Sequence, residues 1–218
     1  MQLITLLKPS GILPRGVIFI FAALFFAEAA SADDAKSIKR FRDAIIKLAP
    51  DIDPAEAELV SVTAHTTARR LAREWRVVPP AIFQNFLIHI GARQRGFCFH
   101  WAHDIGAELR KVPLKTLELH WAEAHPNTHL EHNVVVVTAR GQPITNGYII
   151  DGWRAAGRLV WWPVTKDEYP WKENLVETAW LQNRGPDPLR PQSATAQHNM
   201  QGPSQAVTRG GAGAGSLE

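Results

Sequence analysis

Apolar residues at Ile38, Phe41, Ala44, Ile45 and Leu48 recur at helical spacing and predict a helix over 33–48, which Pro50 stops. A second helix begins at Asp53-Pro54, where the aspartate caps and the proline fills the first turn. Its stripe includes Leu59, Val62, Ala68, Leu71 and Ala72, and Pro79-Pro80 breaks the chain after it. Residues 81–90 predict a third helix with Phe83, Phe86, Leu87 and Ile90 on one face. Gly91 and Gly96 frame a polar turn, and a fourth helix is expected from Cys98 to Lys111.

The period then changes. Residues 114–122 alternate, with Leu117, Leu119 and Trp121 on one face. Four successive valines within 130–138 read as a buried strand. Two more strands are expected at 147–153 and 158–164, after turns at Gly141-Gln142-Pro143 and at Gly157. Neighbouring strand residues face opposite ways, so one of Trp161 and Trp162 must lie outside the main core. Residues 169–182 are expected to cover the sheet. Helices first and antiparallel strands after give an α+β fold class.

The two ends follow neither period. Lys8 and Arg15 flank an apolar run from Val17 to Phe26, and Ala30-Ser31-Ala32 supplies a small-x-small site. That is the pattern of a signal peptide, 1–32, cleaved after Ala32. The run is too short for a bilayer, which needs about 20 residues. No cysteine suggests a lipid anchor, and no later run suggests integral membrane association. The expected product is periplasmic or secreted. From 183 to 218 the chain turns to Pro, Gly, Ser and Gln with no aromatic residue, which predicts a disordered tail. A single domain over 33–182 lies between.

Composition narrows the classes further. The 218 residues are 45% hydrophobic and 21% charged, which excludes collagen-like, coiled-coil and wholly disordered chains. The formal net charge of +3 is weak and scattered, so nucleic acid is not an expected partner. Eight tryptophans stand out, seven of them from Trp101 to Trp180, and they read mainly as packing residues.

One cysteine carries the chemistry. An exported protein meets oxidising conditions, where cysteines pair, but Cys98 has no internal partner. It follows Gly96-Phe97 at the start of the fourth helix, where open N–H groups and the helix dipole favour the nucleophilic thiolate. A thiol nucleophile needs a base, and the base needs an orienting group. His132 stands at the start of the valine strand. Asp151 follows three apolar residues, Tyr148-Ile149-Ile150 being its lead, and such a carboxylate needs a partner. Adjacent antiparallel strands would set His132 beside Asp151.

This order of cysteine, histidine and aspartate resembles the transglutaminase-like, papain-related cysteine enzymes. Gly96-x-Cys98-x-x-x-Ala102 is similar to the nucleophile segment, His132 and its apolar strand to the histidine strand, and Ile150-Asp151-Gly152-Trp153 to the aspartate strand. The likeness spans roughly residues 93–162. It implies a core in which the nucleophile helix packs on the antiparallel sheet. It also implies cleavage or transfer of an amide bond through an acyl-thioester, by a cysteine protease, amidase or transamidase needing no cofactor. Cys98 is then the nucleophile, His132 the base and Asp151 the orienting carboxylate. The family takes its second oxyanion donor from an upstream Gln or Trp, and Gln94 is the candidate here. Proteins, peptides and peptidoglycan peptides all suit such a site. Two features depart from the pattern: Gly152 stands where many members have proline, and His100 has no counterpart.

Two alternatives remain open on the sequence. One is a catalytically inactive binding domain that uses the Trp-rich half for a peptide or glycan. The other is a metal-binding protein, because eight of the nine histidines lie between His65 and His132, with His100 and His103 a helical turn apart. No spacing among them matches a zinc signature such as His-Glu-x-x-His.

Overall fold

The computed structural model describes residues 32–184 and 187. The predicted signal peptide, apart from Ala32, and most of the predicted tail lie outside these residues. Five α-helices, two single-turn 3-10 helices and one antiparallel sheet of five strands make up the described chain, so the class is α+β.

Helix α1 covers 32–46. Helix α2, Pro54–Glu74, starts where Asp53 accepts the Ala55 N–H at 2.8 Å. Helix α3 is Ala81–His89, and α4 is Cys98–Leu109. Strands β1 (Leu117–Ala124), β2 (His132–Ala139), β3 (Tyr148–Asp151) and β4 (Val160–Pro163) follow. A two-residue strand β5, Lys172–Glu173, and helix α5, Leu175–Leu181, complete the fold. The sheet order is β4-β3-β2-β1-β5, which puts the valine strand β2 at the centre.

Both faces of β2 are covered. Val135 and Val137 join Trp101, Ile105 and Leu109 of α4, with α1 and α2 behind, in the larger core. Val134 and Val136 join Ile144, Ile149 and Val164 in a smaller cluster on the other face. Trp161 stacks on Phe41 at 5.0 Å, whereas Trp162 is 53% exposed, so the pair does split as strand alternation requires.

Three local outcomes differ from the sequence reading. Strand β1 starts at Leu117, not at 114, because the N–H groups of Lys115, Thr116 and Leu117 donate to the buried Glu56 carboxylate. That carboxylate also accepts the Thr116 hydroxyl at 2.9 Å, and it ties the start of α2 to the start of β1. Residues 169–182 contain β5 as well as the covering helix α5. Most consequential is α3, whose buried residues are Ala81 and Gln84. Ile82 is 72% exposed, Phe83 43%, Phe86 52% and Ile90 58%, so the aromatic face looks outward.

Candidate active site

Strand alternation gives His132 the face of Val134 and Val136, and Asp151 the face of Ile149. The two meet: His132 Nε2 and Asp151 Oδ2 are 2.8 Å apart, both side chains nearly inaccessible. Helix α4 packs on the opposite face, but its first residue, Cys98, lies at the start of β2 and comes close to His132. The Cys98 thiol donates to the Glu131 carbonyl oxygen at 3.5 Å, and the Asn133 side-chain amide approaches the sulfur at 3.9 Å. His132 Nδ1 is buried and has no well-aligned partner among the described residues. The sulfur is nevertheless close enough for its hydrogen bonding and charge to act on the imidazole. Burial on its own lowers the imidazole pKa; Asp151 and then Cys98 outweigh it and raise it to about 9.

Asp151 is held from several sides. Oδ1 accepts the N–H groups of Trp153 (2.7 Å) and Arg154 (3.1 Å), and Oδ2 accepts Arg154 Nε at 2.8 Å. Burial raises its pKa, but His132 and Arg154 reverse that, and the carboxyl lies below its ordinary range. Arg154 also pairs with Asp167 at 2.8 Å and lies over the Tyr169 ring at 4.9 Å. The rings of Trp153, Tyr169 and Trp171 surround the imidazole at 4.9, 5.0 and 5.4 Å. This surround keeps water from the imidazole and leaves its Nδ1 side toward the sulfur.

The segment before Cys98 is fixed by two side chains. Buried Gln84 accepts the Val78 N–H and donates to the Arg95 carbonyl. His100 Nδ1 accepts the N–H groups of Gly96 (3.2 Å) and Phe97 (3.3 Å), which satisfies the two open donors ahead of α4 from the histidine alone. Burial and the Arg95 guanidinium lower the His100 pKa to about 4, so the ring stays neutral and keeps its acceptor. The departure at His100 thus has a structural cause. Gly152 has one too: a Cβ there would lie 2.6 Å from Trp101 and 2.9 Å from Ile105. Gln94 is exposed, and among the described residues it makes no hydrogen bond. The Cys98 N–H, by contrast, has no acceptor among the described residues and is an open donor at the helix start.

Arg154, Asn133 and the ring Tyr169 were not singled out by sequence. Asn133 sits within the histidine motif, but its role depends on Trp121 Nε1, which donates to its Oδ1 at 2.9 Å, and on Glu131 Oε1, which accepts from Nδ2 at 2.9 Å. Such tertiary partners leave no local pattern. The histidines have other occupations: His65 bonds Ser61 and Ser37, His120 bonds Glu173 and Thr138, and His103 lies between Asp104 and Asp187. Among the described residues no group of three or more His, Cys, Asp or Glu side chains is arranged to hold a metal ion. None of the described helices is long and apolar enough to cross a membrane.

A scan against protein-family models finds no match, and searches of curated proteins and of solved structures return none either.

Proposed function

We propose that the chain is an exported thiol enzyme that cleaves or transfers an amide bond through Cys98, His132 and Asp151, on a transglutaminase-like core. The observation that carries this reading is the asymmetry of His132: Nε2 is bonded to buried Asp151, while Nδ1 is buried, unoccupied and on the side of the sulfur. A histidine kept for packing would have both nitrogens satisfied, as His65 and His120 have.

In the reaction, the Cys98 thiolate attacks the amide carbonyl and the carbonyl π electrons move to oxygen. The Cys98 N–H and the Asn133 amide are the donors placed to hold that oxyanion. Collapse re-forms the carbonyl and breaks the C–N bond, and imidazolium His132 gives its proton to the leaving nitrogen. Water or an amine then attacks the thioester, His132 takes its proton, and the thiolate leaves. Asp151 holds the ring and stabilises its charged form throughout.

Alkylation tests this without a known substrate. Iodoacetamide at about pH 6 is expected to modify Cys98 rapidly in folded wild type, because His132 beside it serves as its base. His132→Ala is expected to slow it about ten-fold or more, and Asp151→Asn less. Reaction only after unfolding, or a rate indifferent to His132→Ala, removes the base from the mechanism.

A further inference from the structure

Helix α3 turns apolar side chains to solvent next to the nucleophile. Ile82, Phe83, Phe86 and Ile90 recur at helical spacing and form one outward stripe, with Phe83 and Phe86 stacked at 6.1 Å. The stripe is joined to both halves of the site. His89 at its end packs on Phe97, the residue before Cys98, at 5.3 Å, and Phe97 stacks on Phe99 at 5.8 Å. Asn85 accepts the indole N–H of Trp153 at 3.1 Å, and Trp153 lies against His132.

Charge adds a second constraint. The 29 residues from Trp75 to His103 contain no carboxylate, and Arg93, whose N–H donates to the Leu87 carbonyl at 3.0 Å, meets the Arg76 backbone at the C-terminal end of α3. An exposed apolar surface of this kind, with cations at one end, suits a partner that is apolar and anionic.

We propose that this face of α3 is a binding surface for an unfolded, anionic polypeptide substrate, laid along the helix so that its chain continues to Cys98. The proposal rests on the thiol-enzyme reading and names its substrate class. Nine helical residues span about 14 Å, which matches about four residues of extended chain. The enzyme therefore recognises apolar segments flanked by carboxylates, and recognition lies beside the scissile bond. Continuity with the nucleophile through Phe97 favours a polypeptide over a lipid surface, which has no reason to adjoin a thiol.

The test uses Cys98→Ala protein and fluorescein-labelled, reduced and carboxymethylated α-lactalbumin, an unfolded anionic chain, followed by anisotropy. Binding is expected, and adding Phe83→Ser with Phe86→Ser should weaken it about ten-fold or more. Ile82→Glu with Ile90→Glu, at more exposed positions, should weaken it at least as much by adding like charge. Added salt should weaken the parent's binding. Failure of the parent to bind, or equal binding by both double variants, overturns the proposal. So does sedimentation of the parent with phosphatidylglycerol vesicles that both double variants lose, because the face then belongs to a membrane. Binding is read in a protein without its thiol. Intact binding with no cleavage by wild type therefore counts against the thiol enzyme alone.

Discussion

His132 joins the two halves of the candidate site, and its protonation ties chemistry to stability. Its pKa rises from 6.5 to about 9 on folding, so the native state favours the imidazolium. That contribution is fully present below pH 6.5 and is lost as pH rises through about 9. Denaturant titrations are expected to show a loss on the order of 3 kcal/mol across this window, from a shift worth about 1.4 kcal/mol per unit. Asp151→Asn should flatten the slope. The alkaline limb of activity should fall at the same pH and move toward neutrality in that variant. Arg154 acts one step back. Arg154→Ala removes the partner of buried Asp167 and one partner of Asp151, and should cost about 3 kcal/mol in chemical denaturation. The three grouped residues each had a local sign: a helix start, a strand start, and a carboxylate after an apolar run. Arg154 had none, because an arginine near a turn reads as a solvated charge until Asp151 and Asp167 are seen around it.

At the scale of elements, periodicity reports which side chains share a face but not where that face points. The four expected helices and four expected strands are all present, and α2 starts at its capping aspartate. Helix α3 has a clear apolar stripe, yet buried Gln84 and Ala81 point inward, because the loop before Cys98 needs an amide to bridge its backbone. Strand β5 has two residues and is too short for any period to register. The transglutaminase-like core is a proposal drawn from motifs, whereas the α+β class follows from the change of period alone. Packing between elements makes its own prediction at Gly152. Gly152→Ala puts a Cβ into Trp101 and Ile105 of α4, and should cost about 1–3 kcal/mol by overpacking. Because β3 carries Asp151 beside it, the same change should slow Cys98 alkylation more than a distant core change of equal cost.

For the molecule as a whole, the end of the domain lies later than composition implies. Arg110 donates to Asn183 at 2.7 Å, and His103 meets Asp187 at 2.8 Å while stacking on Trp180. A chain ended after Gln182 should therefore be about 1–2 kcal/mol less stable at pH 6 than one ended after Arg190. Burial opposes protonation of His103, but Asp104 and Asp187 raise its pKa overall. The difference should accordingly be largest below pH 6.5 and shrink as pH rises through the raised value. Differential scanning of the two chains at pH 6 and pH 9 measures this.

The sheet-and-helix division of the site has one more consequence. His132 and Asp151 belong to β2 and β3, inside a sheet whose central strand is covered on both faces, but Cys98 belongs to the tip of α4. The sheet half is bound by a continuous hydrogen-bonded ladder; the thiol half is held by side-chain packing and by the separate side-chain hydrogen bonds of Gln84, His100 and Trp101 to its loop. Cooperative units of a protein open at different free energies. Partial opening that lifts the helix tip would part sulfur from imidazole while the ladder stays closed. Inactivation in mild denaturant should then run ahead of amide exchange in β2, with reactivity returning on dilution faster than global refolding allows.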